Sequence, residues 1–108
     1  MKASVKKAWV KALRSGEYKQ GLRNLCTEEE YYCCLGVLYD IGVDAYWVFS
    51  RNFDDDLSWG TAYGNTGTLY NYLEELGLTA DQQDVLISMN DQDGKSFSEI
   101  ADWIEANL

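Results

Sequence analysis

The chain has 108 residues, 9 Lys+Arg against 18 Asp+Glu, a formal net charge of −9, and neither histidine nor proline. The absence of histidine excludes a His general base, a Ser-His or Cys-His dyad and a His-ligated metal. No run approaches the ~18 apolar residues that a membrane-spanning helix needs, and the length predicts one domain over 1–108.

Hydrophobic residues make up 46% of the chain, enough for one core without disulfide or metal support. Three cysteines are an odd number, which favours reduced thiols and a cytoplasmic setting. Charge is unevenly spread. Residues 1–27 carry seven cations and one acid, whereas 28–108 carry two cations and seventeen acids. Such asymmetry concerns partners and solubility rather than fold.

Residues 4–14 predict an amphipathic helix rather than a signal peptide, since Lys11 and Arg14 interrupt any apolar run. Val5, Ala8, Trp9, Ala12 and Leu13 form its apolar stripe, Ser4 its expected cap and Gly16 its stop. Tyr18, Lys19 and Gln20 read as extended. Thr27 followed by Glu30 fits a capping box. The helix there covers at least 33–41, and a start near Cys33 would leave Tyr31 and Tyr32 extended.

The aromatic, β-branched run 45–49 predicts a strand, and 57–63 a partner beyond the acidic loop at 54–56. Leu69, Tyr72, Leu73 and Leu76 predict a short helix capped by Thr68. Thr79 with Gln82 opens another helix that runs through Val85, Leu86 and Met89. Asn90 to Gly94 has turn chemistry. Ser96 with Glu99 opens the last helix, whose stripe is Phe97, Ile100, Ala101, Ile104 and Leu108. The expected class is α+β: about five short helices with a small antiparallel sheet.

Four constellations could carry chemistry. Cys33 and Cys34 at a helix start could have a lowered thiol pKa, but no base accompanies them, and buried cysteine is the commoner outcome. Adding Cys26 gives neither a fourth zinc ligand nor zinc spacing. Aligning Gly94 with the calcium-loop glycine puts Met89 and Ile100 at ligand positions that demand oxygen. The helix opening at Ser96 is similar to the first helix of a helix-turn-helix, yet no recognition helix follows. Asp54, Asp55 and Asp56 could attract a divalent cation, although such runs are mostly solvated. No cofactor or metal is expected.

Three blocks carry a resemblance: ALRSGEYKQG, YCCLGVLYD and MNDQDGKSFSEIADWIE. Together they resemble a family of small uncharacterised proteins of bacteriophages and prophage regions. The resemblance implies context and no catalytic residue. A small phage protein of this kind often acts on a host macromolecule, and acidic ones can imitate the charge of nucleic acid.

The expected function is therefore non-enzymatic. It is a phage accessory protein that binds and inhibits or modulates a host nucleic-acid-handling protein, such as a defence nuclease or CRISPR effector, through an acidic surface. The expected contacts are Asp54, Asp55, Asp56, Glu74, Glu75 and Trp103, with Trp47 and Trp59 as further aromatic candidates. Direct nucleic-acid and membrane contacts are not expected. The alternatives are a phage structural or assembly protein, and a small enzyme built on a cysteine or a carboxylate pair.

Overall fold

The computed structural model describes residues 1–23, 25–27, 29–42, 46–51, 58–64, 67–68 and 72–108, with side chains outside 42–72. Among them the fold is α+β. The helices are α1 (Ala3–Arg14), α2 (Cys34–Gly42), α3 (Tyr72–Glu75), α4 (Ala80–Asp91) and α5 (Phe97–Asn107). The strands are β1 (Lys19–Gln20), β2 (Tyr31–Tyr32), β3 (Tyr46–Arg51), β4 (Ser58–Gly64) and β5 (Gly67–Thr68).

β3, β4 and β5 form the expected antiparallel sheet, in the order β3-β4-β5. Its register runs from Tyr46 opposite Tyr63 to Arg51 opposite Ser58. Thr68 is not a helix cap: it lies in β5, opposite Tyr63. β1 and β2 form a separate pair, and that pair is parallel, with Lys19 opposite Tyr31 and Gln20 opposite Tyr32. The chain reverses twice between them, so both strands run the same way. Two non-glycine residues in the left-handed region, Arg23 (φ 70°) and Glu30 (φ 64°), serve those reversals. Thr27 therefore caps a turn and not a helix. Its Oγ1 accepts from the Tyr31 N–H at 3.2 Å.

The helical core forms where four faces meet. Trp9, Leu38, Leu86, Ile100, Ala101 and Ile104 are fully buried there. α1 departs from the expected stripe: Val10 is buried and Ala8 is exposed. Val10 turns toward α5, which covers that flank of the helix. The N-cap is Lys2 with no side-chain bond, so Ser4 lies inside the helix. Gly16, at φ +78°, supplies the left-handed stop.

α2 starts at Cys34 because Cys33 caps it: the Cys33 Sγ accepts from the Gly36 N–H at 3.4 Å. Gly36 has a second task. A Cβ there would lie 1.7 Å from the Leu25 carbonyl oxygen, so only glycine lets that segment cross the helix. Trp9 Nε1 donates to the Cys34 carbonyl oxygen at 2.9 Å and ties α1 to the same turn.

Both later capping boxes are complete, Thr79 with Gln82 and Ser96 with Glu99. The α4 stripe is narrower than expected. Leu86 and Met89 point inward, whereas Val85 is 42% exposed. Residues 85–87 are three consecutive apolar positions, and a helix cannot turn all three to one side.

Candidate functional site

The expected contact residues do not form one described cluster. Asp54, Asp55 and Asp56 lie outside the described residues. Glu74 and Glu75 are exposed at the end of α3. Trp103 is half-buried and rests against the core, on the flank of the α5 stripe. Trp47 lies opposite Ala62 and Trp59 opposite Ser50 in the antiparallel ladder, and their side chains fall outside the description.

The cysteines are far from the reactive state. Cys26, Cys33 and Cys34 are free and buried. Burial pushes Cys33 up to about 11, against lowering bonds from the Gly36 and Leu35 backbone. Burial also raises Cys34 well above the ordinary thiol value. The helix start does favour the thiolate, as its geometry requires, but desolvation is the larger effect. Cys34 Sγ donates to the Leu86 carbonyl oxygen, 3.6 Å away, as a small core group would. Among the described residues, no group of three or more Cys, Asp or Glu side chains could hold a metal ion. No helix among them is long and apolar enough to cross a membrane.

The turn at Asn90 does more than reverse the chain. Asn90 is the one buried polar residue among those described, at 1% exposure. Its Nδ2 donates to the Gly21 carbonyl oxygen at 2.9 Å and to Asp91 Oδ1 at 2.7 Å. Its Oδ1 accepts from Gln20 Nε2 at 2.9 Å. Asp91 Oδ1 also accepts from the strained Arg23 N–H at 2.9 Å. The clasp thus fixes residues 20–23 on the end of α4. Beneath it lies a cavity of about 110 Å³, lined in part by Leu25, Cys33, Leu35 and Ile87.

Charge divides along the fold. α1 carries its cations on the outside, and α5 answers some of them. Arg14 binds Asp102 and, at 2.7 Å, Glu105. Lys6 Nζ donates to the Glu105 carbonyl oxygen at 3.1 Å. The opposite case is the chain from Asn52 to Gly94, which holds nine acids and no lysine or arginine. Within it Glu74, Glu75, Asp81 and Asp84 are all exposed.

Sequence reasoning missed Asp81 and Asp84. Their spacing i, i+3, on the side of α4 opposite Leu86 and Met89, was the available signal. Ile87 was missed too. It is 42% exposed on the flank of that ridge, with Val85 on the other flank.

The family described as Domain of unknown function (DUF8296) matches residues 1–82. No curated protein and no solved structure gives a significant match. The chain belongs to the DUF8296 family, and the matched span runs from α1 to the first turn of α4.

Proposed function

We propose that this DUF8296 family member is a non-enzymatic binding protein that presents carboxylates to a basic groove of a host protein. The observation that carries the reading is the exposed set Glu74, Glu75, Asp81 and Asp84, in a stretch of 43 residues that itself holds no lysine or arginine. Such a surface steers encounter with a cationic partner and competes for sites built to hold phosphates. The resemblance to phage and prophage proteins supplies the context. The partner is a nucleic-acid-handling enzyme in the host cytoplasm, a defence nuclease or CRISPR effector, which the bound protein inhibits or modulates. Raised thiol pKa values and packed sulfurs support a role without covalent catalysis.

The test is binding to a panel of purified defence nucleases and CRISPR effectors across a salt series. A complex is expected whose affinity falls steeply with salt and which excludes the enzyme's nucleic acid. The double variant Glu74→Lys, Glu75→Lys should weaken it by about tenfold or more, since facing charge pairs become repulsive. A panel without any salt-sensitive complex, or one indifferent to charge reversal, overturns the reading.

A further inference from the structure

We infer that the outer face of α4 docks the outer face of α1 from a second copy of this chain. This does not rest on the host-protein reading: it takes Asp81 and Asp84 out of that acidic set, gives them the chain's own α1 as partner, and leaves Glu74 and Glu75 to the host protein.

α4 is an unusual surface helix. Its exposed ridge carries Asp81 and Asp84, and the flanks carry Val85 and Ile87, each 42% exposed. Aliphatic side chains flanking two carboxylates suit a partner that brings both a cation and an apolar stem. Lysine is that residue: its charged head sits on a four-carbon chain that lies along apolar surface.

α1 supplies lysines at the matching spacing. Lys7 and Lys11 stand one turn apart on the exposed side, opposite Trp9 and Leu13. Arg14 and Lys6 are already engaged with α5. No ion pair joins Lys7 or Lys11 to a carboxylate among the described residues. Beside Lys7 runs a shallow groove of about 460 Å³ lined by Ala3, Lys6, Lys7, Val10 and Glu105. Ala3 and Val10 give it an apolar part against which an aliphatic side chain such as Ile87 would pack. Both helices are twelve residues long, so lysines at i, i+4 can face carboxylates at i, i+3 within two turns.

The net charge of −9 opposes association at long range. At physiological ionic strength screening acts over about 8 Å, so distant charges fade and facing ones remain. The two surfaces differ, which makes the contact heterologous: one copy's α1 meets another's α4, and the pairing extends head to tail unless it closes into a ring.

The experiment is sedimentation equilibrium of the full chain at rising concentration. At about 0.1 M salt the average mass should climb above 12.3 kDa as concentration rises, and at about 1 M salt it should stay there. Lys7→Glu with Lys11→Glu should weaken association by about tenfold or more, and so should Asp84→Lys alone. Asp84 is chosen because Asp81 sits in the first turn of α4, where a carboxylate also stabilises the helix. Mixing the two variants should restore association, since one retains α4 and the other α1. Circular dichroism checks that each variant is folded. A mass of 12.3 kDa at every concentration overturns the inference. So does association that survives both charge reversals, or variants that fail to complement when mixed. The host-protein reading would fail separately, on Glu74 and Glu75.

Discussion

α1 and α4 are equally long, and they are held in opposite ways. α1 relies on shape. It buries Trp9, Val10 and Leu13, has no side-chain N-cap, and keeps its cations outside. α4 relies on polar bonds. It buries two apolar side chains and one amide, closes its start with a complete capping box, and leaves two aliphatic residues in solvent. The contrast teaches that a helix with a weak apolar stripe can be fixed by few, well-placed hydrogen bonds, leaving its outer face available for contacts.

The largest expected effect is on α1. Trp9 is fully buried and its indole N–H is satisfied by the Cys34 carbonyl oxygen. Trp9→Ala should cost about 3–5 kcal/mol, as large-to-small core changes do, read as a lower urea midpoint. A smaller loss than that of any α4 variant would break the comparison.

The second effect is on α4. Asn90→Ala removes the donor to the Gly21 carbonyl oxygen and the acceptor for Gln20, both part-buried. A cost of about 1–3 kcal/mol is expected, below that of Trp9→Ala. The damage should be local as well. Arg23 keeps its left-handed φ because Asp91 holds its N–H, and Asn90 in turn holds Asp91. Amide hydrogen exchange should therefore quicken at residues 20–23 before it quickens in α5. Uniform quickening would mean that Asn90 stabilises the whole core and not the clasp.

Most of the helical layout was legible in the sequence. The capping boxes at Thr79 and Ser96 are local rules, and both formed because each joins residues only three apart. The same rule failed at Thr27. There the outcome depended on Gly36 admitting the Leu25 backbone, a contact that no local pattern records. The partner of Lys19–Gln20 was illegible for a related reason: a parallel two-residue pair has no periodicity of its own. Asn90 looked like turn chemistry because its Gln20 and Gly21 partners lie about seventy positions earlier in the chain. Among the candidate contacts, Glu74 and Glu75 were legible from charge alone. Asp81 and Asp84 needed the helix phase, which the run 85–87 obscured.

The smallest expected effect returns to α1 and sharpens the contrast, because its ion pairs with α5 are exposed where the Asn90 amide of α4 is buried. Arg14 binds Glu105 at a seam where the carboxylate side chain is 54% exposed. The hydrogen bond from Arg14 holds the Glu105 carboxyl below its ordinary value of 4.5. A depressed folded-state value means stability that is present above the ordinary carboxylate range and is lost as pH falls through the folded value. Arg14→Gln should therefore lower the unfolding midpoint slightly at neutral pH. Wild type and variant should converge as pH falls through the folded-state value, below which Glu105 is protonated in both states. Added salt should shrink the neutral-pH difference, since water and ions reach this pair. It should change the Asn90→Ala difference less, because the bonds lost to Gln20 and Gly21 are neutral and part-buried, and only the one to Asp91 involves a charge. An Asn90 effect as salt-sensitive as that of Arg14, or an Arg14 effect as large as that of Asn90, would mean that α1 too depends on its polar contacts.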